Sequence, residues 1–127
     1  MPRDTHVPDE FDVVTVVVLR RPDDAPQMSD EELDALQAKH LAYRAELKQH
    51  GLLVANGPFG EQSEPSYRGM SIFACSPEEA SRLSDGAPSV VAWRLSYDVM
   101  EWWVAADSLA FPHAVRPVGD RRVLPED

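Results

Sequence analysis

The run Val13-Val14-Thr15-Val16-Val17-Val18-Leu19 constrains this chain more than any other stretch. Its residues are almost all β-branched, which suits extended backbone. Side chains on a strand alternate between two faces, and this run is apolar on both. A half-exposed strand would alternate apolar and polar residues. An unbroken apolar strand belongs in the middle of a sheet, with cover on each side. The rest of the chain must therefore supply strands to flank it and helices to cover it.

The flanking sequence reads as such a frame. Met1 to Asp12 is polar and carries Pro2 and Pro8, which suggests a flexible leader over residues 1–12. Arg20 to Pro26 reads as a loop at the strand end that can overhang a pocket. Ser29-Asp30-Glu31-Glu32 is a capping box: the serine side chain accepts from the third helical amide and the glutamate reaches back. A helix to about His50 follows, closed by Gly51 in the left-handed conformation. Leu33, Leu36, His40, Tyr43 and Leu47 recur at spacings of three and four, so they share its inward face. Leu52 to Ala55 and Arg68 to Cys75 read as strands, with hairpin-loop residues between them. Ser76-Pro77-Glu78-Glu79 opens a second helix, with serine as cap and proline at the first turn. That helix runs to about Leu83 and breaks over Ser84 to Pro88. Arg94 to Val104 reads as a long final strand, and Pro112 to Asp127 as a mobile tail.

The order is β-α-β-β-α-β. It predicts an α+β fold of ferredoxin-like type, an antiparallel sheet with two helices on one face. The domain spans residues 13–111, with the leader before it and the tail at 112–127. The second sheet face is left open yet apolar. Such a face marks an association surface, so a homodimer through the open face is expected.

Charge narrows the function. Twelve basic residues against 22 acidic ones give a formal net charge of −10. Such a surface repels phosphate backbones and anionic lipid, so neither nucleic acid nor membrane is expected as a partner. The first ten residues lack the apolar core of a signal peptide, and a cytoplasmic location is the expectation. The single cysteine, Cys75, follows Ile72-Phe73-Ala74 and reads as a small core residue. Adjacent glutamates such as Glu31 and Glu32 point apart on a helix, and no coherent ligand spacing suggests a metal. No glycine-rich phosphate loop, nucleophile elbow or other cofactor motif occurs, so no cofactor is expected.

From Val13 to Phe111 the chain resembles the YciI-like, or YCII-related, proteins, which are dimeric α+β barrel domains. The resemblance is carried by Val16 to Leu19, by Lys39-His40-Leu41 and by Gly51-Leu52-Leu53-Val54-Ala55-Asn56-Gly57-Pro58. Glu78-Glu79-Ala80 and the segment from Pro88 through Trp102-Trp103 complete it. It implies a pocket-facing histidine, which falls on His40, the residue that helical spacing sets on the inward stripe. It also implies a partner aspartate just before the proline after the second helix. That position is Ala87 here, and the nearest carboxylate is Asp85.

Histidine carries protons near neutral pH, so His40 is the candidate general acid or base, with Asp85 as its candidate partner. Arg94, Tyr97 and Trp93 are candidate ligand-binding residues: an anion anchor, an orienting hydroxyl and a flat apolar wall. Trp102 and Trp103 are neighbours on a strand and must face opposite ways. His50 reads as a helix-end residue, and His6 and His113 lie in the leader and tail. The resemblance implies a cofactor-independent enzyme of lyase or isomerase type, acting on a small cyclic or aromatic organic molecule. The alternative is a non-catalytic ligand-binding or accessory domain that has lost the family aspartate.

Overall fold

The computed structural model describes residues 10–112 and the backbone of residues 120–123. Strand β1 (Glu10–Arg20) is followed by helix α1 (Asp30–Gln49) and strands β2 (Leu53–Pro58) and β3 (Tyr67–Phe73). Helix α2 (Pro77–Asp85), a single turn α3 (Pro88–Val91), strand β4 (Ser96–Ala105) and strand β5 (Asp120–Val123) complete the order.

The valine-rich run is the centre of the sheet. The strand order is β2-β3-β1-β4, with every pairing antiparallel, and β1 bonds to β3 on one side and to β4 on the other. This is the ferredoxin-like α+β arrangement that the element order predicts. Alternate residues of β1 then serve two cores. Val17 and Leu19 pack with Leu47, Leu53, Phe73, Ala80, Leu83 and Leu95 beneath the helices. Val14 and Val16 pack with Ile72 on the opposite face. Burying side chains of this size contributes about 1.5–3 kcal/mol each, so β1 alone anchors both layers.

The helix ends form as their sequences dictate. The Ser29 hydroxyl accepts from the Glu32 amide, and the Glu32 carboxylate accepts from the Ser29 amide. Ser76 caps α2 in the same way through the Glu79 amide. Gly51 takes φ 73°, and the Leu52 and Gly51 amides close the end of α1 on Leu47 and Lys48 carbonyls.

Several boundaries differ from the sequence reading. β1 begins at Glu10, so residues 10–12 belong to the sheet and not to the leader; residues 1–9 lie outside the described residues. Phe11 explains the extension, because its ring packs against Trp103 at 5.7 Å. Strand β5 falls in the segment read as a mobile tail. β3 pairs with β1 only from Thr15 onward, and β5 takes the free edge at Glu10 to Val13. Residues 113–119 and 124–127 of that segment lie outside the described residues, as do His6 and His113. The stretch after α2 is not a plain turn: Pro88 starts the α3 turn on the Ala87 carbonyl. β4 starts at Ser96 rather than Arg94, because the Arg94 and Leu95 amides both turn back to the Ser89 carbonyl.

Beyond the buried strip of Val14, Val16 and Ile72, the face away from the helices carries two large exposed side chains. Met100 is 43% exposed and Trp102 40%. Among the described residues no helix is long and apolar enough to cross a membrane.

Candidate active site

A cleft of about 310 Å³ opens where α1 crosses the end of the sheet. α1 contributes Gln37, His40, Leu41 and Arg44; the β2–β3 end contributes Asn56 to Pro58 and Arg68 to Ser71. Leu19, Arg21 and Leu95 close the remaining side. Gly69 lets the two strands approach there, since a Cβ on it would lie 2.7 Å from the Gly57 carbonyl oxygen. A cleft of this volume sits at the small end of ligand sites, which run to about 300–1,000 Å³.

His40 lies on the wall of this cleft and is only 9% exposed. Its nearest polar neighbour is one helical turn on. Arg44 Nε donates to His40 Nε2 across a long 3.5 Å, and Arg44 Nη1 donates to Ser71 Oγ at 3.1 Å. His40 Nδ1 is buried and, among the described residues, has no hydrogen-bond partner. Burial, reinforced by the Arg44 cation, lowers the imidazole pKa to about 4. His40 is therefore neutral at physiological pH; with Nε2 accepting from Arg44, the ring hydrogen lies on the buried Nδ1.

Arg44 is the residue that sequence reasoning missed. It is 4% exposed, and among the described residues its guanidinium hydrogen-bonds only to Ser71 and His40, with Nη2 buried and unpartnered. Burial pushes its guanidinium pKa down from the ordinary value. The signal was available in its position four residues after His40, which puts it on the same helical face. An arginine at such a position reads as solvated until the cross-sheet Ser71 is known.

The other sequence candidates are distributed differently. Asp85 is not brought to His40: its Oδ1 accepts from the Tyr97 hydroxyl at 2.5 Å. Burial and the Asp85 contact raise the Tyr97 pKa, and Tyr97 also lies 3.1 Å from the Ser81 carbonyl. These two residues tie α2 to β4 instead of lining the cleft. Ala87, which stands at the family aspartate position, is buried at 1% exposure at the start of α3. Arg94 lies in an adjoining hollow of about 250 Å³ that shares Arg21, Gln37 and Leu95 with the cleft. Its Nη1 donates to the Pro26 carbonyl at 3.0 Å. Trp93 lies outside the cleft wall, 46% exposed, in a left-handed conformation with φ 59°. Its indole donates to Asp24 Oδ1 at 2.6 Å, and Arg21 Nε donates to the Arg94 carbonyl at 2.9 Å. The loop after β1 is thus laced to the turn before β4, and it holds Arg21 at the cleft.

The remaining candidates are structural. Cys75 is half-buried and its thiol is pushed up to about 11 by burial, so no thiolate forms near neutral pH. The His50 amide closes α1 on the Glu46 and Lys48 carbonyls. Trp102 stands opposite Val14 and Trp103 opposite Val13, on opposite faces of the sheet. Among the described residues no group of three His, Cys, Asp or Glu side chains converges.

The chain belongs to the YCII-related domain family, whose model matches residues 14–103. Among solved structures it is similar in fold to a 5-chloro-2-hydroxyhydroquinone dehydrochlorinase, TftG, from Burkholderia phenoliruptrix AC1100, solved in complex with 2,5-dihydroxybenzoquinone. The two share 18% identity with a TM-score of 0.52, over 70% of this chain and 92% of that one. No curated protein matches the chain by sequence.

Proposed function

We propose that this protein is a cofactor-independent enzyme of lyase or isomerase type, acting through His40 on a small cyclic or aromatic organic molecule. One observation carries the reading: a buried, neutral histidine lines a ligand-sized cleft, and among the described residues its Nε2 lone pair meets no more than a long 3.5 Å contact from Arg44. A neutral imidazole can take a proton from carbon beside a carbonyl, leaving the electron pair in an enolate. Returning the proton to another carbon completes an isomerisation. Expelling a leaving group with that electron pair completes an elimination. Leu19, Leu41, Pro58, Met70 and Leu95 supply apolar walls for a ring. The family membership supports a small-molecule site, and the dehydrochlorinase of similar fold acts on an aromatic hydroquinone.

The test is exchange of substrate C–H for deuterium in D2O, followed by NMR over a panel of enolisable cyclic ketones and hydroxyquinones that includes 2,5-dihydroxybenzoquinone. Catalysed exchange with at least one member is expected. His40→Asn should slow it about 10²–10⁴-fold, the usual contribution of a positioned acid or base. Exchange that survives the substitution would remove His40 from the chemistry.

A second reading is favoured by one specific contact. Asp85 is engaged by Tyr97, so among the described residues no carboxylate is hydrogen-bonded to the His40 ring. A binding or accessory domain would then keep the cleft without turnover. It predicts that panel members bind yet show no exchange in the wild-type protein.

We also infer that a second copy of the chain covers the sheet face that carries Met100 and Trp102, as the dimeric barrel superfamily suggests. Sedimentation equilibrium should give twice the 14.2 kDa protomer mass. Trp102→Glu should halve it, and a wild-type mass of one protomer would contradict the inference.

A further inference from the structure

The chain as a whole is strongly acidic, with 22 acidic residues to 12 basic ones. The cleft reverses that balance. Arg21, Arg44 and Arg68 all line it, and among the described residues no aspartate or glutamate does. Arg44 is the telling member. A buried cation ordinarily comes with a carboxylate, because leaving water is costly and only an opposite charge offsets it. Arg44 has none among the described residues: its polar contacts are a hydroxyl and a neutral imidazole, and Nη2 has no partner. Arg21 is held nearby by the Arg94 carbonyl, and its pKa is lowered by burial and then by the Arg94 and Arg68 charges. Arg21 and Arg68 repel one another, and among the described residues no carboxylate lines the cleft to oppose them.

We propose that the cleft takes a small organic anion, whose carboxylate or phenolate oxygen docks on Arg44 while Arg21 and Arg68 draw it in at the mouth. The proposal rests on the reading of this cleft as the ligand site, and it names the chemical class that enters. The guanidinium fork suits a carboxylate or oxyanion, and partial desolvation strengthens the contact. The apolar walls require a carbon framework behind the charge, so an inorganic ion would leave them unfilled.

The anion also has a consequence for the acid–base group. The Arg44 cation opposes protonation of His40. A negative charge placed against Arg44 offsets that opposition, so the bound ligand makes His40 a stronger base. Substrate binding would thereby switch on the group that acts on it.

The experiment is calorimetric titration of the wild-type protein with benzoate, its neutral isostere benzamide, 4-nitrophenolate and inorganic phosphate. One or both organic anions should bind at least tenfold more tightly than benzamide and than phosphate; which of the two leads tells carboxylate from phenolate. Arg44→Met should abolish the preference for charge. It should also melt no lower than wild type, since it removes a buried unpaired cation. His40→Asn should keep the preference, so that loss of proton exchange and loss of anion binding separate the two readings. Equal binding of benzoate, 4-nitrophenolate and benzamide to wild type would overturn the proposal without recourse to any variant. So would phosphate binding as tightly as the organic anions, a preference that survives in Arg44→Met, or an Arg44→Met protein that fails to fold.

Discussion

Acidifying the wild-type protein from pH 7 to pH 4 should cost about 3 kcal/mol more stability than the same change costs His40→Asn. The sign follows from the depressed imidazole. His40 protonates near 6.5 in the unfolded chain and near 4 in the folded one. Between those values the unfolded state binds a proton that the folded state refuses, so stability falls as pH falls. The contribution of the neutral buried ring is full above about 6.5 and has drained away by about 4. A separation of this size corresponds to roughly 3 kcal/mol at about 1.4 kcal/mol per unit. Carboxylates act in the same direction at the acid end. Glu32 and Glu64 are held low by the Ser29 and Ser66 amides, and Glu79 by Arg82. They are common to both proteins, so the difference between the two pH profiles isolates His40. Urea midpoints at several pH values give the comparison. Parallel profiles would show that the ring protonates freely in the folded state.

The second large effect is structural. Phe73→Ala should destabilise the fold by about 3–5 kcal/mol and lower the melting temperature by roughly 10–20 °C. Phe73 is 0% exposed and sits where three elements meet, paired with Thr15 of β1 and Leu53 of β2 beneath the helices. Its removal leaves a cavity that neighbours in two paired strands cannot close without breaking the ladder. Domains of this kind are stable by about 5–15 kcal/mol, so the loss takes a large share of the whole. Conservative Phe73→Leu should cost much less. A melting temperature within two or three degrees of wild type for Phe73→Ala would mean that the core can collapse around the hole, contrary to the packing described.

These two residues also mark what the sequence made legible. Phe73 lies in a strand whose place follows from the order of elements around one valine-rich centre. The capping residues Ser29 and Ser76 and the left-handed Gly51 are local signals, and local signals survive translation into structure. His40 on the cleft wall was legible for the same reason, because helical period alone sets its face. What was hidden depends on contacts distant in sequence. Arg44 is buried because Ser71, on a strand 27 residues away, receives its guanidinium. Asp85 goes to Tyr97 because α2 lies over β4, a relation that no spacing within α2 encodes. Arg21 and Arg68 join Arg44 only when the β1 and β3 ends are brought beneath α1. β5 was read as tail because four residues of mixed charge gain strand structure only from the open edge of β1. Periodicity reports a residue's face, whereas the chemistry of a site is set by what arrives opposite that face.

The central claim is that His40 is a neutral proton carrier on the cleft, with no carboxylate partner among the described residues. Its most direct test is an NMR titration of the His40 ring, assigned by comparison with His40→Asn. The expected result is a neutral imidazole at pH 7 that protonates near pH 4. A midpoint at or above about 6.5 would contradict the account, because it would mean either an open, hydrated ring or a carboxylate that reaches it.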